Sequence, residues 1–164
     1  MKVNFGLSSR EIGQAIRQIE EYKKDLEIKC RLLAERLASD GVFICRTKIA
    51  EHNAVYSGEL LQSIEIEYQG STMTGARFVI KTDVPYAAFV EFGTGIIGSN
   101  NPHPLAGITS WKYDVNEHGE KGWIYKDENG VTHWTKGMQS RPFMWETANE
   151  LRLKINEIAR EIFK

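Results

Sequence analysis

The chain has 164 residues, enough for one domain and short for two. Lys and Arg total 21 against 22 Asp and Glu, a net charge of -1, and the balance is local as well: residues 1–40, 41–100 and 101–164 sum to +1, -2 and 0. No third has the basic surplus of a nucleic-acid-binding surface, and with 41% hydrophobic residues the composition is not that of a disordered chain. Two cysteines, Cys30 and Cys45, cannot build a disulfide scaffold, and their spacing is not that of a zinc or redox pair. The longest apolar run, Tyr86 to Val90, is far too short to span a bilayer, and the first residues lack the apolar region of a secretory signal. The expectation is a soluble protein made in a cytoplasm, without a membrane partner.

The first element is a long helix. Ser8 and Glu11 have capping-box spacing. From there Ile12, Ile16, Ile19, Tyr22, Leu26, Cys30, Leu33 and Leu37 recur every three or four residues, one apolar stripe about eight turns long. The other faces are charged, so the stripe must lie on a sheet, another helix or a neighbouring subunit. Cys30 reads as a buried free thiol on that stripe. Gly41 either ends the helix or sits inside it, because Ile44, Cys45 and Ile49 continue the helical phase to about His52.

A turn-rich stretch, 53–58, leads to a helical turn over Glu59–Ser63. Ile64–Tyr68 alternates as a half-buried strand does, Gln69–Gly75 reads as a polar turn, and Ala76–Lys81 reads as an antiparallel partner. Asp83–Phe92 reads as a short helix, with Pro85 in its first turn, Gly93 past its end and an apolar face of Tyr86, Phe89, Val90 and Phe92 to dock on the sheet. Residues 93–140 are rich in Gly and aromatics. They contain a hairpin, Trp123–Lys126 and Val131–Thr135, around Asp127–Gly130. Pro142 opens a last helix with the stripe Ala148, Leu151, Ile155, Ile158 and Ile162. The fold class expected is α+β: a small antiparallel sheet on a long N-terminal helix and a C-terminal helix, with about four strands and an inserted arm, as one domain.

Several stretches invite a chemical reading. Gly93–Gly98 matches G-x-G-x-x-G, but Pro102 and Pro104 follow at once and forbid the helix that a dinucleotide site needs, so a loop is expected. His52, His103, His118 and His133 show no metal-binding spacing; they read as solvent-facing or loop residues, with convergence of the last three on a metal left open. Ser57 lacks a defined histidine partner and reads as a turn or helix start. Glu65 and Glu67 share a strand face about 7 Å apart by strand rise. That spacing suits two-carboxylate hydrolysis and equally a solvated face. Trp111, Tyr113, Trp123, Tyr125 and Trp134 crowd the irregular segment without a lysine excess, which suits a protein interface better than base stacking.

Three separated stretches resemble a family. They are Ala54-Val-Tyr-Ser-Gly-Glu-Leu-Leu-Gln-Ser-Ile64, Val84-Pro-Tyr-Ala-Ala-Phe-Val-Glu-Phe-Gly-Thr-Gly95 and Lys136-Gly-Met-Gln-Ser-Arg-Pro-Phe-Met144. In that order, between two helices, they look like the tailed-phage gene-product-ten-like tail-component family, small head–tail joining proteins of long-tailed phages and prophages. The match rests on Tyr86, Ala87, Val90, Glu91, Phe92, Gly93 and Thr94 and on Arg141, Pro142 and Phe143; in the first stretch Ser57 stands where the family has Thr, and no Pro precedes it. The resemblance implies a virion structural protein at the neck, a ring-forming homo-oligomer meeting connector, head-closure and tail proteins. DNA would pass without specific binding, and no catalytic residue, cofactor or metal is implied. A tail terminator or completion factor is the nearest alternative; a metal-dependent hydrolase and a nucleic-acid accessory protein are the more distant ones. In the assembly reading the five aromatics are interface candidates, and Glu65 and Glu67 are candidates for the channel face, where like charge keeps DNA from adhering.

Overall fold

The computed structural model describes residues 6, 8–55, 57–72, 75–113, 121–127 and 129–164. Tyr56, His118 and the acidic residues Asp114, Glu117, Glu120 and Glu128 lie outside the described residues.

α1 runs unbroken from Ser9 to Glu51. Ser8 caps it: its hydroxyl accepts from the Glu11 amide, and the Glu11 side chain reaches back to Ser8. Gly41 lies inside the helix. A Cβ there would overlap Ile80 Cδ1 and come within 2.9 Å of Leu151 Cδ1, so the glycine is a notch into which a strand and a second helix both press. The cost of an interior glycine, about 1 kcal/mol, is offset by that close approach.

α2 (Glu59–Ser63) leads into β1 (Glu65–Thr72), which pairs antiparallel with β2 (Gly75–Lys81). β1 extends through residues expected to turn, with its register shifting between Tyr68 and Ser71. β2 lies along α1, from Cys30 beside Gly75 to Gly41 beside Ile80. Alternation then puts Ile66, Tyr68, Phe78 and Ile80 towards α1 and Glu65, Glu67 and Lys81 on the opposite face.

α3 (Ala87–Phe92) and α4 (Gly95–Asn100) follow, then β3 (Trp123–Lys126), β4 (Thr132–Thr135) and the short β5 (Gly137–Met138). β3 and β4 form a second two-stranded ladder, separate from the first. Four of the five strands therefore make two small sheets, and β5 makes only isolated bridges to Thr94 and Gly95. α5 (Phe143–Ile162) packs antiparallel on α1, with His52 beside Glu146 and Gly41 beside Leu151. The fold is α+β.

The core gathers Cys45 and Ile49 of α1, Ala54, Leu60, Ile64, Val84, Ala87, Val90 and Phe143. It lies where the C-terminal part of α1 meets α2, α3 and the first turn of α5. Of the face expected to dock on the sheet only Val90 is buried, and Ala87 and Glu91 are the other buried residues of α3. Two further expectations are corrected. α4 is a six-residue helix inside the glycine motif: Pro102 follows its end at Asn101 and stops it, rather than preventing it. Cys30 is only half-buried, since the hairpin covers it at its end alone; the fully buried thiol is Cys45. No helix among the described residues is long and apolar enough to cross a membrane.

Candidate functional site

The two motif segments, 86–94 and 141–143, converge on one buried carboxylate. Glu91 is 7% exposed. Its Oε2 accepts from the Met144 amide at 2.9 Å, and its Oε1 accepts from the Trp145 amide at 3.0 Å and from His103 Nε2 at 3.0 Å. The N-cap position of α5 is Pro142, whose side chain cannot cap. Glu91 reaches across from α3 and supplies the missing cap, with its charge at the positive end of the helix dipole.

His103 holds the other side of the carboxylate and is 2% exposed. Its Nδ1 accepts from the Leu105 amide at 3.0 Å, so Nε2 carries the hydrogen that goes to Glu91. The ring lies 4.5 Å from Phe92 and edge-on to Trp145 at 6.4 Å. Of the two positions expected from sequence, solvent-facing or in a loop, the second holds: His103 lies in a loop, between Pro102 and Pro104, and that loop turns it inward. Both ring nitrogens are engaged, which leaves none free to shuttle a proton to a substrate.

Around this centre the chain is tied at several points. Ser140 Oγ donates to the Glu91 carbonyl at 2.6 Å, and the Arg141 amide donates to the Val90 carbonyl at 2.9 Å. Arg141 Nε is buried and, among the described residues, has no hydrogen-bond partner. Thr94 bridges to Met138, its Oγ1 accepting from the Met138 amide at 3.2 Å. Gly93 has φ +79°, and a Cβ there would sit 2.6 Å from the Ser140 nitrogen, so only glycine fits both the conformation and the approach. The Tyr86 hydroxyl donates to Glu59 at 3.2 Å, joining α3 to α2. Phe143 is fully buried beneath.

The five candidate interface aromatics divide. Trp111 is a brace: its Nε1 donates to the Gly93 carbonyl at 3.0 Å, and its ring stacks on Phe92 at 5.0 Å. The Tyr113 hydroxyl accepts from the His103 amide at 3.1 Å. Trp123 is half-buried at the root of the β3–β4 arm. Tyr125 and Trp134 are exposed on that arm, Tyr125 stacked on His133 at 5.3 Å and Trp134 beneath Lys136.

The three described histidines do not converge. His52 pairs with Glu146 at 3.1 Å, His103 with Glu91, and His133 with Asp127 at 3.0 Å. Among the described residues, no three or more His, Cys, Asp or Glu side chains form a group able to hold a metal ion. Glu65 and Glu67 do share a face, and Lys81 bridges them, with its Nζ 3.2 and 3.1 Å from the two carboxylates and 3.4 Å from Asp83. Hydrogen bonds from Gln69 and Lys81 hold the Glu67 carboxyl below its ordinary range, and the three carboxylates around Lys81 raise its ammonium.

Large apolar side chains are exposed at several places among the described residues, Phe43 (74%), Ile108 (83%) and Leu153 (83%) as well as two groups. On α1, Ile12, Ile16, Ile19, Tyr22 and Leu26 are 38–53% exposed. On the arm, Ile124 and Trp134 are 67% and 59% exposed. The sequence signal for the first is the stripe itself, which is longer than the rest of the chain can cover. The signal for the Glu91 cap is an α5 that begins on Pro142 with no Ser, Thr, Asp or Asn immediately before its first turn.

Comparisons with protein-family models, with curated proteins and with solved structures give no match.

Proposed function

We propose that this chain is a structural subunit of a virion, joining head and tail at the neck of a long-tailed phage or prophage as part of a ring around the DNA channel. The observation that carries the assembly reading is the uncovered stripe of α1: five large apolar residues in a row on a continuous helix, a surface that a solitary protein has no reason to keep. The phage setting rests on the resemblance of the 84–95 and 136–144 segments. Their residues build a helix start and a stitched backbone, as expected of parts that hold a shape. A head-to-tail contact between copies closes into a ring if the rotation permits, and the near-neutral chain with an acidic strand face suits a wall that DNA slides past.

The test is deletion of the gene from its phage. Filled heads and finished tails that fail to join are expected, with the chain itself present in wild-type particles at a fixed ratio to the portal. Tails of uncontrolled length would move the role to a tail terminator. Joined, infectious particles would overturn the proposal.

A further inference from the structure

We propose that His103 is a proton-operated catch: when its ring takes a second proton it keeps Glu91 and lets go of Leu105, releasing residues 104–109 while α5 stays capped. This goes beyond the assembly reading and does not depend on it. His103 Nε2 is bonded to Glu91 Oε1 at 3.0 Å, and Nδ1 accepts from the Leu105 amide at 3.0 Å. The neutral ring serves both, one nitrogen as donor and the other as acceptor, whereas the imidazolium is a donor at both. Its new Nδ1–H would point at the Leu105 N–H, donor against donor, on a ring only 2% exposed. Turning the ring over gives no relief, because a ring carbon would then face Glu91. At Nε2 the same proton has the opposite effect, since it makes the bond to Glu91 an ion pair with a charge-assisted hydrogen bond, roughly twice as strong as a neutral one. The ring therefore stays with the carboxylate, and the conflict falls on Leu105.

The segment behind that bond can move by itself. Pro104 has no amide hydrogen, so Leu105 brings the first donor after the ring. The Leu105 carbonyl accepts from the Ile108 and Thr109 amides at 3.0 and 3.1 Å, so the turn moves with Leu105. Gly107 and Ile108 are exposed, and little packing holds the tip. Both ends are fixed: the His103 amide donates to the Tyr113 hydroxyl, and the Trp111 indole donates to the Gly93 carbonyl. Release is thereby confined to the turn between them. Of the groups around the ring, Glu91 of α3 is the charge in contact with it, and Tyr113 touches its amide. α5 brings Trp145, edge-on, and Glu146, which is paired with His52 of α1. Cys45 of α1, which feels the charge of Glu91, keeps its proton throughout the acid range, and Arg141 before α5 is a fixed cation. Only the two histidines among these ordinarily change charge in mild acid, and His52 touches Glu146 rather than the loop.

The experiment follows the full chain by NMR through mild acid. The nitrogen shifts of the His103 ring report its protonation, and amide exchange, corrected for its intrinsic pH dependence, reports the loop. As the ring takes its second proton, protection of the Leu105 amide is expected to fall about tenfold, the loss of one hydrogen bond, while the Met144 and Trp145 amides keep theirs. Glu91→Gln removes the charge that favours the imidazolium and should move the release to lower pH. His103→Asn sets an oxygen close to where Nδ1 stood, one that mild acid does not protonate, and should leave Leu105 protection flat over the same range. A ring that stays neutral until the whole chain unfolds overturns the inference. So does a Leu105 amide that keeps its protection through the ring's titration, or α5 amides that open together with it. Wild type alone decides these three outcomes, so a variant that fails to fold leaves the test intact.

Discussion

Glu91 is the residue whose loss should be felt most widely. Its carboxylate accepts two amides of α5 and the His103 ring. Glu91→Ala leaves three buried donors without an acceptor, at about 1 kcal/mol or more each, so a loss of about 3 kcal/mol is expected in urea unfolding. Glu91→Gln keeps one acceptor oxygen and should cost less; equal stability of the alanine variant and wild type would contradict the cap. Cys45 gives a pH dependence. Burial, partly opposed by Thr147, pushes its thiol from an ordinary 9.0 up to about 11. Below pH 9 the thiol is protonated in both states. Between about 9 and 11 the unfolded chain ionises and the folded one does not, so stability falls across that window by about 3 kcal/mol. Unfolding titrations of wild type against Cys45→Ala should show this slope in wild type and its loss in the variant. At this scale the sequence was half legible: Glu91, Gly93 and Phe143 stood out through the motif, but that His103 would turn inward to meet Glu91 depended on a contact across 12 residues.

Among elements, α1 was the most readable because a 3.6-residue period and a capping box act locally. The fate of Gly41 could not be read from its neighbours, because what decides it is Ile80 and Leu151 arriving from two other elements. The two glycines of α1 should therefore behave oppositely. At Gly13 a Cβ would meet nothing within 4 Å, so Gly13→Ala should stabilise by about 1 kcal/mol through helix propensity alone. Gly41→Leu forces a full side chain between β2 and α5 and should destabilise by about 1–3 kcal/mol. Thermal melts of the two variants check this, and a neutral Gly41→Leu would mean that α5 does not press on the helix there. Strand extents were read less well, because β1 continues through Gln69–Thr72 on the strength of pairing with β2 rather than of its own polar residues. α4 was missed for a related reason: proline stops a helix that precedes it without preventing a single turn, and Gly98 packs where a Cβ would lie 2.9 Å from Gly93 and Met138 backbone.

At the scale of the molecule, the stripe required α1 to lie on a sheet, another helix or a neighbouring subunit, but did not tell which part would stay open. The compact portion gathers at the C-terminal end of α1, around Ile49 and Phe143; in the N-terminal half only Ala15 is buried among the described residues, and Ile12, Ile16, Ile19, Tyr22 and Leu26 stay exposed. The acidic strand face is a second whole-molecule feature, and Lys81 already offsets part of it. If that face lines a channel, Glu65→Lys/Glu67→Lys should slow DNA ejection. Glu65→Gln/Glu67→Gln, which sets no new cation beside Lys81, should have a smaller effect. Ejection measured by potassium efflux or DNA release checks this, and unchanged kinetics in the lysine variant would remove these residues from the channel.

The Ser8–Glu11 box closes the far tip of α1, while the packed portion near Gly41 serves as a ready nucleus for everything upstream. Starting a helix is the expensive step, and extending one is nearly free. The overhang is thereby pre-organised before any neighbour arrives, so little backbone entropy remains to be lost on docking. If copies dock on it as proposed, a rod that is rigid in advance would also fix the angle between them, and with it the curvature of what they build.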